Sequence, residues 1–540
     1  MMLEKTPHKE GVFMKRLFSI LLAALLLVGC SAPAQPEATE TLPVQTADPS
    51  PVIIPETEEI PYESRFKKET LIRLTDTGMD LSGPNSLSVF GSNDIIYYED
   101  RDLYDSGNPY GEGTDADKHT AQEAEAHYVV NITEPGAYRV TGKLSAGQIR
   151  VDLGDGASED PNAVVELILD NAHITCTVAP AILFLNVYEC DGGWSTDTAK
   201  PDVDTSSAGA NLVLEGENTV NGSYVARIYK DKKGEKKLWK QDGAIYSYMS
   251  TNIFGPGSLI LNAENEGIDT ELHLTVNGGD ITVLSQNDGI NTNEDGVSIT
   301  TINAGTLHIV AGLGAEGDGI DSNGYLVING GTVISAAKPV SDAGLDSNLG
   351  SFIHGGTVIA MGAPMDWAES DSEQVTMNLQ FIQKQNGILR ITREDGSEVF
   401  AFDPAADPVL KDYARGLQGA VISTPAFKTG DSYHVYSDGA QMLYTSTDVM
   451  RGPGGGKGHR PEDGMPQDFG GMEPPEGFDG QNPPFPGGEM PTGPAGGFGP
   501  GGPDNHGNRN PEAAPPGEAG NIRFYMQDKV NFFSGLTEVQ

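Results

Sequence analysis

Between residues 130 and 365 the chain alternates aliphatic or β-branched residues with polar ones in short runs. LHLTV (272–276), LHIVA (307–311), YLVIN (325–329) and TVISA (332–336) are examples, each bounded by Gly, Asn or Asp nearby. Alternation over four to six residues is the period of a half-buried strand. No stretch of this interval carries the 3.6-residue apolar period of a helix. The pattern predicts many short strands joined by tight turns.

The strands recur at a fixed spacing. Asn277-Gly278-Gly279 returns as Asn303-Ala304-Gly305, Asn329-Gly330-Gly331 and His354-Gly355-Gly356, in steps of 26, 26 and 25 residues. Interleaved with it, Gly267-Ile268-Asp269 returns as Gly289-Ile290-Asn291, Gly319-Ile320-Asp321 and Gly344-Leu345-Asp346, in steps of 22, 30 and 25. A leucine-rich repeat shares the period but not these residues, and a propeller blade needs about 40 residues or more. The expected fold is therefore all-β, a right-handed parallel β-helix (solenoid) over 131–371. An N-terminal cap region (66–130) and a small C-terminal β cap (372–450) close its ends against edge pairing. Residues 451–520 are dominated by Gly and Pro and are expected to be a disordered insertion. The apolar segment 521–540 is expected to return to the cap.

Charge narrows the function classes. Among 540 residues, 77 Asp and Glu oppose 34 Lys and Arg, a net charge of −43. Nucleic acid is excluded as a partner, because phosphates need neutralising by cations. Residues 1–30 read as a lipoprotein signal peptide: Lys15 and Arg16, an apolar run from Leu17 to Val28, then Leu27-Val28-Gly29-Cys30, which resembles a lipobox. That resemblance implies lipidation at Cys30. A Pro/Thr/Glu-rich tether (31–65) would follow. The expected location is the extracellular face of the membrane, with contact to lipid through the anchor only and the folded part monomeric.

The remaining question is where the carboxylates go. The second motif predicts a set of corners: Glu266-Gly-Ile-Asp269, Asp288-Gly-Ile-Asn291, Asp318-Gly-Ile-Asp321 and Asp342-Ala-Gly-Leu-Asp346. Stacked repeats bring equivalent residues to about 5 Å, where carboxylates repel. Ca²⁺, which takes 6–8 oxygen ligands, resolves that conflict. Asp318 and Asp321 lead the candidate set, with Asp288 and Asn291 beside them, and with Asp342 and Asp346, or Glu266 and Asp269, holding further ions.

The lipobox, Asp242-Gly243-Ala244-Ile245, the repeated GID and GGT strings and the terminal STPAF segment together resemble clostridial carbohydrate-binding β-helix lipoproteins. These are in turn similar to pectate-lyase-type polysaccharide lyases. The resemblance covers roughly 66–450 and 521–540. It implies calcium binding and recognition of cellulose or acidic pectin, and makes an enzyme less expected than a binder. Trp194, Trp239 and Trp367 lie in loop-like contexts and are the candidate sugar-stacking residues. Trp239 follows a stretch rich in Lys that could meet uronate carboxylates. The alternative is a calcium-dependent polysaccharide (pectate) lyase. The relatives use a Lys or Arg base, and Lys338 is the only Lys or Arg between 241 and 383. A third reading is a structural surface adhesin stiffened by calcium.

Overall fold

The structure is a computed structural model. It describes residues 60–98, 117–228, 239–339, 341–413, 415–447 and 520–539. The signal, Cys30, nearly all of the tether and residues 451–519 lie outside that set.

Strand formation follows the alternation. In Ser258–Ala263 the side chains of Leu259 and Leu261 are buried, while Ile260 between them is exposed. The described strands form three sheets, of 22, 9 and 2 strands. Parallel pairing dominates the two larger ones, as expected for repeats of about 25 residues.

The way those strands join corrects the expected open β-helix. Val165–Thr175 is long enough to pair with two partners: its first half with Ala210–Glu215, its last residues with Glu217–Gly222. Leu274–Ser285 does the same, with Thr251–Phe254 and then Ser258–Ala263. Ala210–Glu215 pairs with Thr251–Phe254, and Glu217–Gly222 with Ser258–Ala263. Hydrogen bonding around these six parallel strands thus closes on itself as a parallel β-barrel core, with further sheets flanking it. Period and alternation give the strands and their direction. They do not show that an 11- or 12-residue strand will be shared between two neighbours.

The nine-stranded sheet carries the GID motif. Its edge strand Val89–Ser92 is antiparallel to Tyr128–Ile132. From there Gly147–Asp152, Ile182–Asn186, Gly243–Ser247, Glu266–Thr270, Ile290–Thr292, Ile320–Ser322 and Leu345–Ser347 follow in parallel. One register runs Ile149, Ile182, Ile245, Ile268, Ile290, Ile320, Leu345, each no more than 2% exposed. Facing it within the same core cluster are Leu259, Ile281, Leu307, Val333 and Val358 from the larger sheet. Fully burying one such side chain is worth about 1.5–3 kcal/mol, so this continuous core fixes the register on which the site depends.

Parallel stacking ends at Thr357–Gly362, whose outer neighbour Leu417–Ser423 runs antiparallel. Beyond it a second core gathers Phe381, Phe400, Tyr433, Phe524 and Phe533. The C-terminal strand Val530–Glu538 lies parallel to Thr376–Gln385.

Candidate metal centre

The same register that buries the isoleucines turns their successors to the opposite face. Asp269, Asn291, Asp321 and Asp346 are successive neighbours in the nine-stranded sheet. The sequence placed them in turns. They are instead strand residues, because each Gly-Ile-Asp triplet is itself a short strand with the aliphatic residue inward. Strand spacing, about 4.8 Å, sets the separation of their backbones.

The residues ahead of each triplet behave differently. Asp288 Oδ1 accepts the Asp318 backbone N–H at 2.7 Å, and Asp318 Oδ1 accepts the Ala343 N–H at 2.5 Å. These two carboxylates therefore spend one oxygen each on tying neighbouring strands together. Asp342 is one place out of this column, since the extra Ala343 takes the position beside Asp318. Its carboxylate accepts from Ser341 Oγ at 2.6 Å.

At the buried end three carboxylates converge. One oxygen each from Asp242, Glu266 and Asp269 lies within 4.8 Å of the others, and all three side chains are buried. Lys240 Nζ sits 2.5 Å from Asp242 Oδ2, an ion pair at the rim. Asn291 Nδ2 donates to Glu266 Oε2 at 3.2 Å, and Asn293 Nδ2 donates to Asp269 Oδ1 at 2.7 Å. Two oxygens are left over: Asp269 Oδ2 and Asn291 Oδ1 are buried without a hydrogen-bond partner among the described residues. An orphaned buried acceptor costs about 1–3 kcal/mol, more when charged.

Electrostatics point the same way. Burial, then the charges of Asp242 and Asp288, push the Glu266 carboxyl well above its ordinary range. Burial, then Glu266 and Asp242, does the same to Asp269. Along the column burial lifts Asp288 to about 6, and burial with Asp346 lifts Asp318 to about 9. Asp321 is raised chiefly by burial and then by Asp288. A row of oxygen ligands that cannot all carry charge unaided is what a hard cation stabilises. Asp242, Glu266 and Asp269 fit such an ion, a donor set that is all oxygen, and Asn291 adjoins it through its bond to Glu266. Bound there, it would supply positive charge to the face on which the column lies.

Asp242 was not among the residues singled out from the sequence. Its signal was present in Asp242-Gly243-Ala244-Ile245, which repeats Asp-Gly-Ile with one residue more. The inserted Ala244 breaks the strict motif, and only the pairing of Ile245 with Ile268 restores the register.

The other candidates are scattered. Lys338 Nζ donates to the carbonyl oxygens of Gly314, at 2.7 Å, and Ala315. Trp367 packs on the core, edge-on to Phe532 with ring centroids 6.2 Å apart. Trp194 is half-buried in the loop after Asp191. Trp239 opens the short Trp239–Gln241 strand, and its side chain is outside the described set. Cys176 and Cys190 are free thiols.

Comparison with known proteins places the chain in a family. A family model described as carbohydrate-binding domain-containing protein matches residues 126–398, half of the chain, and includes every strand of the acidic column. A carbohydrate-binding domain-containing protein of Acetivibrio thermocellus is 30% identical over 155 residues, which are 28% of this chain and 44% of that protein. The chain thus spans less than half the length of this relative. A solved structure, the polysaccharide lyase-like protein from C. thermocellum in a gadolinium derivative, aligns over 53% of this chain and 92% of its own at 20% identity and a TM-score of 0.30. By the match over residues 126–398, the chain belongs to the carbohydrate-binding domain-containing protein family.

Proposed function

We propose that this protein binds polysaccharide of the plant cell-wall class, cellulose or acidic pectin, and that Ca²⁺ in the Asp242, Glu266 and Asp269 cluster takes part. The supporting observation is the pair of orphaned buried oxygens, Asp269 Oδ2 and Asn291 Oδ1, at a convergence of three carboxylates. A cation there neutralises repulsion inside the protein, and its remaining ligand positions can accept carboxylate or hydroxyl oxygens from a sugar. A chain of −43 can meet a polyuronate in this way without a basic groove. Placement at the outer face of the cell membrane belongs to this proposal and rests on residues 14–30 alone.

Binding is favoured over cleavage by the position of Lys338. The side chain offered as a β-elimination base is held by two backbone carbonyls of the 314–315 loop. A general base must reach the proton that it abstracts.

Affinity electrophoresis through gels containing polygalacturonate or soluble cellulose derivatives, with and without EGTA, tests the proposal. Retardation by polygalacturonate that EGTA abolishes is expected. No retardation by any glycan overturns it and leaves the calcium-stiffened adhesin. Unsaturated products that form with wild type and disappear in Lys338→Ala would establish the lyase instead.

A further inference from the structure

Beside the acidic face, on the larger sheet, lies a cleft of about 410 Å³. That is within the roughly 300–1,000 Å³ common for small-molecule sites. Its floor is a polar ladder across three parallel strands. Asn262 Nδ2 donates to Asn221 Oδ1 at 2.8 Å, and Asn221 Nδ2 donates to Thr175 Oγ1 at 3.0 Å. The three are register neighbours, so the ladder follows from pairing rather than from side-chain chance. Past the strand ends the chain carries Glu264 and Gln286 to one wall, and Tyr413 lines the cleft together with them.

The chemistry of this lining is distinctive. Three amides, two threonine hydroxyls, one carboxylate and one aromatic ring line it beside the apolar Leu284 and Leu313, and among the described residues no Lys or Arg does. Amides and carboxylates in fixed orientation pair with vicinal hydroxyls. An aromatic ring offers an apolar face to the C–H side of a pyranose. A uronate carboxylate would meet Glu264 with no cation to offset it. The ladder repeats at the strand spacing of about 4.8 Å, close to the rise per sugar of an extended pyranose chain.

We propose that this cleft binds neutral sugar residues of an extended polysaccharide, as a subsite separate from the acidic column. The inference rests on the reading that the protein binds polysaccharide, and it names where uncharged sugars go. Two adjoining surfaces, one for neutral and one for anionic residues, suit a polymer in which both occur.

Isothermal titration with cellohexaose, xylohexaose and mannohexaose, and separately with oligogalacturonate and Ca²⁺, tests it on the full chain. Wild type should bind at least one neutral hexamer. Tyr413→Ala and Asn262→Leu should each weaken that binding at least tenfold, with oligogalacturonate binding unchanged. Tyr413 also packs on the second core; Asn262→Leu and Glu264→Gln keep the test independent of that packing. Unchanged affinity for the neutral hexamer in all three variants overturns the inference. So does wild type that binds oligogalacturonate but no neutral hexamer, which leaves the broader proposal standing. Wild type that binds no saccharide of either kind overturns both.

Discussion

Asp269 shows how one side chain can hold two requirements in tension. It is wholly buried, one oxygen is satisfied by Asn293 and the other by nothing among the described residues. Asp269→Asn keeps the shape and removes the charge. Calcium should raise the melting temperature of wild type and leave that of the variant nearly unmoved, as differential scanning calorimetry with calcium or EGTA would read. A ligand at a hundred times its Kd adds about 2.7 kcal/mol to stability, so the difference is measurable. Equal shifts in both proteins would show that this carboxylate is not a ligand. A second residue-scale case is Gly331, at φ 77°. A Cβ there would lie 2.7 Å from the Gly305 carbonyl oxygen, which explains the glycine that recurs at the third position of each such string. Gly331→Ala should cost on the order of 1–3 kcal/mol in denaturant unfolding.

At the scale of elements, the C-terminal sheets are fastened to the parallel stack by side chains that no repeat reveals. Asp407 lies 3.5 Å from His308 Nε2, across 99 residues of chain, and accepts the N–H groups of Val409 and Leu410 at 2.9 and 2.8 Å. Burial would raise its pKa, but the His308 ring and the two N–H donors outweigh it and hold the carboxyl below its ordinary range. A depressed carboxylate adds stability that is present above its unfolded pKa and is lost as pH falls through the folded one. Wild type should therefore lose more stability than Asp407→Asn between about pH 5 and pH 3. Parallel pH–melting curves for the two proteins would contradict that. His308 lies in a strand whose alternation is legible in the sequence; its partner, on a distant loop, is not.

For the whole molecule, the end of the chain matters as much as the repeat. Val530–Glu538 covers one side of Thr376–Gln385, and Phe524, Met526, Phe533 and Leu536 are buried. A chain stopped after residue 519 should expose that strand edge and the second core, giving a lower melting temperature and aggregation on size-exclusion chromatography. A monodisperse truncated protein with unchanged melting would show the terminal segment to be dispensable. Charge also looks different at this scale. Part of the −43 is a row of carboxyls whose pKa values burial raises, so this share of the charge is concentrated on one face of the nine-stranded sheet.

By itself the sequence determined the strands, their parallel direction and the equivalence of Asp269, Asn291, Asp321 and Asp346, because side-chain alternation and repeat spacing are local properties written along the chain. It also carried Asp288 and Asp318 as candidate cation ligands, but not the backbone N–H of the next strand that one oxygen of each accepts. Only the tertiary structure decided that long strands split between two partners and close the pairing into a barrel. It alone brought Asp242 to Glu266 and Asp269 across an inserted alanine, and placed the Asn ladder beside Tyr413. Those outcomes depend on which strand lies next to which and on how far each is buried. Distance and desolvation between residues remote in sequence leave no period to read.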